Sequence, residues 1–204
     1  IEVAQIARAS SRRLSLNEDL TEALCLAHDL GHTPFGHAGQ TALNRCLKEM
    51  NPKSNGFEHN IQSLRIIDKL EKKYLGYDGL NLCFETREGV LKRCSRNIAP
   101  KFGAVADRFV VGGQPSLEAQ ISNIADEIAY NHHDLDDGLR SGLITIEEIL
   151  GLKAAENAAK EVLSLGCRRT MDKSIVNAEI IRRMINSQIE DLVYQTKKMF
   201  RLSQ

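Results

Sequence analysis

Apolar residues recur at helical spacing along almost the whole chain, and this periodicity constrains the fold more than any other feature. At the start, Ile1, Val3, Ile6 and Ala7 share one helical face, and residues 58–74 repeat the pattern. The alternation of apolar and polar residues that is typical of strands is nearly absent. The sequence therefore predicts an all-α fold, built as a helical bundle.

Capping and helix-terminating residues predict where the helices begin and end. Ser15 and Glu18 fit a capping box that opens a helix ending near Leu30, where Gly31 terminates it and Pro34 prevents its continuation. The predicted helices that follow are 36–50, 58–74, 87–94, 116–130, 145–150, 152–165 and 173–199. Residues 95–115, which are rich in glycine and proline, are predicted to be a long loop, and residues 137–142 a turn.

Composition excludes several classes of protein. The 204 residues are enough for one sizeable core, 27 Lys and Arg balance 27 Asp and Glu, and no apolar run is long enough for a bilayer. We therefore predict no membrane segment and no nucleic-acid partner. Five cysteines without a CxxC pair favour a reducing cytoplasm. A local basic cluster at Lys92, Arg93, Arg96 and Lys101 is compatible with phosphates and equally with a solvated helix end.

All six histidines fall in three short segments, residues 28–37, 57–59 and 130–133. Histidine and aspartate are the side chains that bind divalent metals and move protons near neutral pH. The histidines lie beside Asp29, Asp126 and Asp134, which indicates a metal-centred hydrolytic site. Each histidine taken alone is also compatible with a core position, and His132 is the best candidate for one that is merely structural or exposed.

Asp126 is a second indication of a metal. It lies in a predicted helix whose apolar face includes Ile121, Ile124, Ala125 and Ile128. A carboxylate beside such a stripe needs a partner, because a buried unpaired charge costs roughly several kcal/mol. A metal ion would supply that partner.

Four segments in order, ALCLAHDLGHTPFGHAG, GFEHNIQSLRII, PSLEAQISNIADEIAYN and HDLDDGLRSG, closely resemble the deoxyguanosine-triphosphate triphosphohydrolase-like branch of the HD-domain phosphohydrolases. The resemblance implies a single HD-type helical domain over residues 1–204, with a motif core in 1–142 and a helical tail in 143–204. The chain opens at Ile1 as a helix in progress, so we expect truncation at the N-terminus and also at the C-terminus.

The resemblance also implies a metal site. One divalent cation, Mg, Mn or a similar transition metal, would be held by His28, Asp29 and Asp126. The first histidine ligand of the family would lie just before Ile1.

Further site roles follow from the same resemblance. His32, His37 and His59 match histidines that are assigned to the phosphates and to proton transfer. Relatives usually carry a carboxylate three positions after the histidine that matches His37, where this chain has Gln40. Because residues three apart share a helix face, we expect Gln40 to orient the His37 ring without supplying charge, and the chemistry to be slower than in glutamate-bearing relatives.

The implied substrate is a deoxynucleoside triphosphate, hydrolysed to a deoxynucleoside and inorganic triphosphate. Tyr130 matches a tyrosine that packs on the sugar, and Asp134 an aspartate that binds the 3′-hydroxyl. A homo-oligomer is also expected. The alternatives are another HD phosphohydrolase, such as a 5′-nucleotidase or phosphodiesterase, and a catalytically weak regulatory module that binds nucleotides. Gln40 and the missing first histidine favour the regulatory module.

Overall fold

The structure is a computed structural model that describes residues 1–92, 96, 98–164 and 172–202, and it is almost entirely helical there. Its helices are α1 Glu2–Leu14, α2 Glu18–Ala27, α3 Gly36–Met50, α4 His59–Arg65, α5 Phe84–Leu91, α6 Ala104–Val110, α7 Leu117–Ser141, α8 Ile146–Ile149, α9 Lys153–Ser164 and α10 Lys173–Leu202. Within these ranges, β pairing is confined to one isolated bridge between Lys72 and Gly79. The predicted all-α fold is confirmed.

The N-terminus of α2 differs from the prediction. Asn17, rather than Ser15, caps the helix, and its side-chain oxygen accepts a hydrogen bond from the Leu20 amide at 3.0 Å. Ser15 has a φ of 60°, a left-handed conformation that separates α1 from α2. The predicted Ser15–Glu18 capping box is therefore wrong. Asparagine caps as well as serine does, and the sequence offered both within three positions.

Two predicted irregular segments are helical. The loop predicted over 95–115 contains a 3₁₀ turn, Ala99–Lys101, and helix α6. Residues 137–141 of the turn predicted over 137–142 are the end of α7, and Gly142, with a φ of 73°, follows the helix. Gly138 lies within the helix, and a Cβ there would lie 2.8 Å from the Ile144 side chain, so this glycine serves close packing rather than a turn. Arg93 and the residues around the predicted helix end at 165 lie outside the described residues.

The chain divides into two compact units, and the first comprises Ile1 and Leu16–Asn123. Its core is formed mainly by α2, α4, α5 and the start of α7, with buried side chains at Leu24, Leu64, Ile67, Val90, Leu91, Val105, Ala106 and Ala119. A π-helical turn, Ile66–Leu70, extends α4, and Asp68 within it accepts two hydrogen bonds from Arg87 of α5, both 2.7 Å long. This core fixes α4 against α2.

The second unit comprises Glu2–Ser15 and Ile124–Gln204. Helices α1 and α9 pack against α10. One buried cluster contains Ile149, Ala155, Ala158, Ala159, Val162, Ile180 and Met184. The assignment of residues 1–204 to a single domain stays a prediction. Among the described residues, no helix combines the length and the apolar character needed to cross a membrane.

Candidate functional site

The segment that carries His28 and Asp29 is the turn that follows α2. Helix α2 ends at Ala27, and the amide of His28 still donates to the Leu24 carbonyl at 3.0 Å. The His28 Nδ1 lies 2.9 Å from the carbonyl oxygen of Cys25. Because a carbonyl only accepts, Nδ1 carries a proton, and Nε2 is the ring nitrogen that remains for Asp29 or a cation. The ring is 5% exposed, so its orientation is fixed.

The carboxylate of Asp29 is in contact with two imidazole rings. Its Oδ1 is 3.0 Å from His28 Nε2 and 3.3 Å from His32 Nε2. Burial raises the pKa of Asp29, but the hydrogen bond from His28 and the charges of His28, His32 and Lys92 outweigh burial and leave the pKa below its usual value. An ionised carboxylate 3.0 Å from an imidazole nitrogen, with a backbone carbonyl bound to the other nitrogen of that ring, is a donor set that fits a divalent cation.

Three imidazoles, which we call the histidine cluster, are His32, His37 and His59. The His32 and His59 rings are stacked with centroids 4.2 Å apart, and His37 meets them edge-on at 5.4 and 5.7 Å. The three side chains come from different elements: the turn after α2, the first turn of α3 and the first residue of α4. The resemblance in sequence predicted that these three histidines belong to one site, and in the structure they lie together within the first unit.

The hydrogen bonds of Gln40 correct one expectation. Its Oε1 accepts from the backbone amide of His59 at 3.0 Å and lies 2.6 Å from His59 Nδ1. Gln40 therefore orients His59, across from α3 to α4, rather than the His37 ring on its own helix. Because an amide oxygen only accepts, this contact requires a proton on His59 Nδ1 and leaves Nε2 as the basic nitrogen.

His59 is a poor proton acceptor in this environment. Burial and the nearby charges of His32, Lys92 and His37 lower its pKa to about 4, and Asp29 opposes them weakly. Desolvation disfavours the charged imidazolium, and like charges disfavour it further. His59 is 8% exposed and is neutral near pH 7.

Lys92 belongs to the surroundings of this site. Its charge lowers the pKa of both Asp29 and His59, so the ammonium group lies within electrostatic range of each. Lys92 follows α5 with a φ of 56°. From the sequence, Lys92 was predicted only to belong to a basic cluster, because sequence spacing does not relate α5 to the turn after α2.

The sequence predicted only part of the role of Gly31. It was predicted to end a helix, but a Cβ at this position would lie 2.3 Å from the carbonyl oxygen of His59 and 2.3 Å from the amide nitrogen of Ser63. The turn that carries His28, Asp29 and His32 therefore lies directly against the backbone of α4. Only glycine permits this approach.

Helix α7 carries the remaining predicted residues in the second unit. Asp126, Tyr130 and Asp134 recur every four positions and so share one helix face. Asp126 is half-buried, whereas Tyr130 and Asp134 are exposed. Their roles stay predictions. His132 is 3% exposed, and its Nδ1 lies 2.7 Å from the Ile128 carbonyl oxygen, which fits the structural role predicted for it.

Comparison with known sequences assigns this arrangement to a family. The sequence profile of the HD domain matches residues 1–131, which is more than half of the chain and includes the histidine cluster, His28, Asp29 and Asp126. The chain therefore belongs to the HD domain family, as the resemblance in sequence predicted.

Individual relatives are closely similar. A deoxyguanosinetriphosphate triphosphohydrolase-like protein of Bordetella pertussis is 58% identical over 94% of this chain and 50% of its own length. Proteins with the same description from Ralstonia nicotianae and Nitrosomonas europaea are 56% and 51% identical over 97% and 96% of this chain, and over 49% and 51% of their own lengths. The chain thus spans about half the length of the curated relatives it matches.

Proposed function

We propose that this chain carries the hydrolytic site of a metal-dependent enzyme that converts deoxynucleoside triphosphates into a deoxynucleoside and inorganic triphosphate. The observation that carries the proposal is the histidine cluster, which lies beside the His28–Asp29 turn with Asp29 in contact with His32. The descriptions of the relatives support the same class of substrate. The whole enzyme is proposed to be a homo-oligomer in the cytoplasm.

The cation would be held by His28 through Nε2, by Asp29 through its carboxylate and by Asp126 of α7. Bound there, a divalent cation would polarise the α-phosphate and lower the pKa of a coordinated water molecule. The hydrogen bond from His28 Nδ1 to the Cys25 carbonyl keeps the ring in the tautomer that ligation requires. Mg and Mn suit the carboxylates, and the imidazole also suits later transition metals.

His32, His37 and Lys92 are proposed to bind the phosphates. Imidazole N–H groups and an ammonium group stabilise negative charge that develops on phosphoryl oxygens. Their charges also lower the pKa of His59, which supports the proposal that the three groups face a common anion. A bound triphosphate would relieve this repulsion, so the pKa of His59 is expected to rise when substrate is bound.

His59 is proposed to handle the proton of the reaction. Gln40 holds the proton on Nδ1, which leaves Nε2 to accept a proton from water or to return it to the departing 5′-oxygen. Tyr130 and Asp134 lie on the same face of α7 as Asp126, and they are proposed to bind the deoxyribose.

Product analysis tests the proposal. The full chain is incubated with dGTP and the other deoxynucleoside triphosphates in the presence of Mg²⁺ or Mn²⁺, and the phosphorus products are resolved by ³¹P NMR. Inorganic triphosphate is expected, and pyrophosphate with a monophosphate would refute the reaction. His37→Gln is expected to lose activity, while His133→Gln, an equally exposed histidine that pairs with Glu2 at 2.7 Å, is the matched control.

A nucleotide-binding module with little turnover is the second candidate, and the neutral Gln40 beside His59 favours it. His59 is a weak base with a pKa of about 4, although the Glu58 carboxylate lies 3.5 Å from its Nδ1. Saturable binding of dGTP without release of any phosphorus product would select this candidate.

A further inference from the structure

Ser63 joins the two segments on which the candidate site depends. It lies on α4, four positions after His59, and is completely buried. Its Oγ accepts a hydrogen bond from the amide of Gly31 at 2.8 Å and donates one to the carbonyl oxygen of His28 at 2.9 Å. One hydroxyl thus binds the first and the last residue of the turn His28–Gly31.

This pairing is specific to a small hydroxyl. A hydroxyl can donate and accept at once, and serine places it close to the backbone. The absence of a side chain at Gly31 allows the approach, since a Cβ there would meet the Ser63 amide nitrogen at 2.3 Å. Buried backbone groups that lack partners are costly, so the two hydrogen bonds and the glycine together fix the distance between the turn and α4.

We propose that Ser63 is a positioning residue that sets the distance between the predicted metal ligands and His59. Gln40 of α3 also holds His59, through the backbone amide and the ring of His59. His59 is therefore located by α3 on one side and, through Ser63 of its own helix, by the turn that carries His28 and Asp29. This proposal rests on the proposed function for its catalytic consequence, but not for its structural one.

Substitution of Ser63 is expected to change the positions of the reacting groups and not their chemical identity. Ser63→Ala removes both hydrogen bonds and leaves the residues that touch substrate unchanged. A displacement of about 1 Å in a reacting group can cost about a hundredfold in rate. We therefore expect kcat to fall by about 10- to 100-fold while KM changes by less than about threefold, because substrate-binding groups remain.

Two measurements that do not need turnover accompany the kinetics. The imidazole ¹H–¹³C resonances of the full chain, assigned by single His→Gln substitutions, report the surroundings of His28, His32 and His59. Titration with Mn²⁺ alone reports the affinity of the metal site. The matched control is Ser10→Ala, because Ser10 is also completely buried and donates a single hydrogen bond, 3.0 Å long, to the Ile6 carbonyl oxygen.

Ser63→Ala is expected to shift the three resonances and to weaken Mn²⁺ binding about tenfold or more, whereas Ser10→Ala is expected to change neither. Equal imidazole resonances and equal Mn²⁺ affinities in Ser63→Ala and Ser10→Ala would overturn the proposal. If the unsubstituted chain hydrolyses no deoxynucleotide, the proposed function fails, and the imidazole spectra still decide the role of Ser63. If Ser63→Ala does not fold, Ser63→Cys preserves the side-chain shape with a weaker hydrogen-bonding group and undergoes the same comparison.

Discussion

The substitution Gln40→Glu tests how the chain controls the proton affinity of His59. Glutamate has nearly the same shape as glutamine, so the contact of 2.6 Å with Nδ1 and the hydrogen bond from the His59 amide can both persist. The change adds one negative charge next to the ring. A carboxylate favours the imidazolium, so the pKa of His59 is expected to rise from its present value of about 4.

The size of the rise follows from the contact distance. Two unit charges about 4 Å apart interact with about 4 kcal/mol at an effective dielectric constant of about 20, which corresponds to about three pKa units. Dehydration of the new carboxylate in this half-buried position, and the charges of His32 and Lys92, offset part of this. We expect a net rise of about one to two units, which would place the pKa of His59 near 5 to 6.

The assay is a pH titration of the imidazole ¹³C resonances between pH 3.5 and 8, with the His59 resonance assigned by His59→Gln. Turnover is measured over the same range. If His59 acts as a base, activity is lost as pH falls through its pKa, so the acidic limb of the pH–rate profile moves to higher pH in Gln40→Glu. A stronger base near neutral pH is also expected to raise kcat by about 10- to 100-fold.

Gln5→Glu is the control for net charge, because Gln5 is exposed on α1 and the substitution adds the same charge there. It is expected to leave the His59 titration unchanged. A His59 resonance that titrates identically in Gln40→Glu and in the unsubstituted chain would refute the electrostatic reasoning. A raised pKa without a change in kcat would show that His59 does not carry the proton in the rate-limiting step.

Three further predictions concern stability and metal binding. Folding lowers the pKa of His59 from 6.5 to about 4, so the unfolded chain binds more protons than the folded chain between these pH values. The free energy of unfolding should therefore fall as pH falls across this window, by on the order of 1–2 kcal/mol after allowance for solvent screening. Urea denaturation should show a smaller fall in His59→Gln than in the unsubstituted chain. Gly31→Ala should cost about 2 kcal/mol or more in urea denaturation, because its Cβ would lie 2.3 Å from the His59 carbonyl oxygen, whereas Gly76→Ala, with nothing within 4 Å, should be nearly neutral. Asp29→Asn should weaken Mn²⁺ binding by at least about tenfold in calorimetric titration, while the exposed Asp191→Asn should not; equal affinities would exclude Asp29 as a ligand.

Helical periodicity was sufficient to predict the fold class and several helix boundaries. Helix α3 occupies the predicted residues, Gly36–Met50, because its apolar pattern and the preceding proline agree. The errors lie where glycine has more than one use. Gly138 was predicted to be part of a turn, but it lies within α7, where the lack of a side chain makes room for Ile144. Sequence alone does not distinguish a glycine that bends the backbone from one that makes room for a neighbour.

The sequence grouped His32, His37 and His59, whose rings lie together in the structure, but it did not predict all of their partners. Gln40 was paired with His37 because residues three apart on a helix are neighbours. The side chain instead reaches a residue of another helix, where it binds both the amide and the ring of His59. Local spacing describes contacts within one element, whereas contacts between elements depend on packing that no short segment encodes. Ser63 and Lys92 were missed for the same reason.

Two glycines, Gly31 within the first histidine segment and Gly39 two positions after it, determine how the histidines of that segment are arranged. A Cβ at Gly39 would lie 1.9 Å from the Pro34 carbonyl oxygen, and one at Gly31 would meet the backbone of α4 at 2.3 Å. Glycine at these two positions allows close backbone contacts, with which the ring centroids of His32 and His37 lie 5.4 Å apart and those of His32 and His59 lie 4.2 Å apart. A chain with the same histidines but with alanine at both positions would retain the donors and lose their arrangement. The histidines therefore form a cluster only in combination with glycines at these positions, which is why the whole segment is more diagnostic of this site than the His–Asp pair.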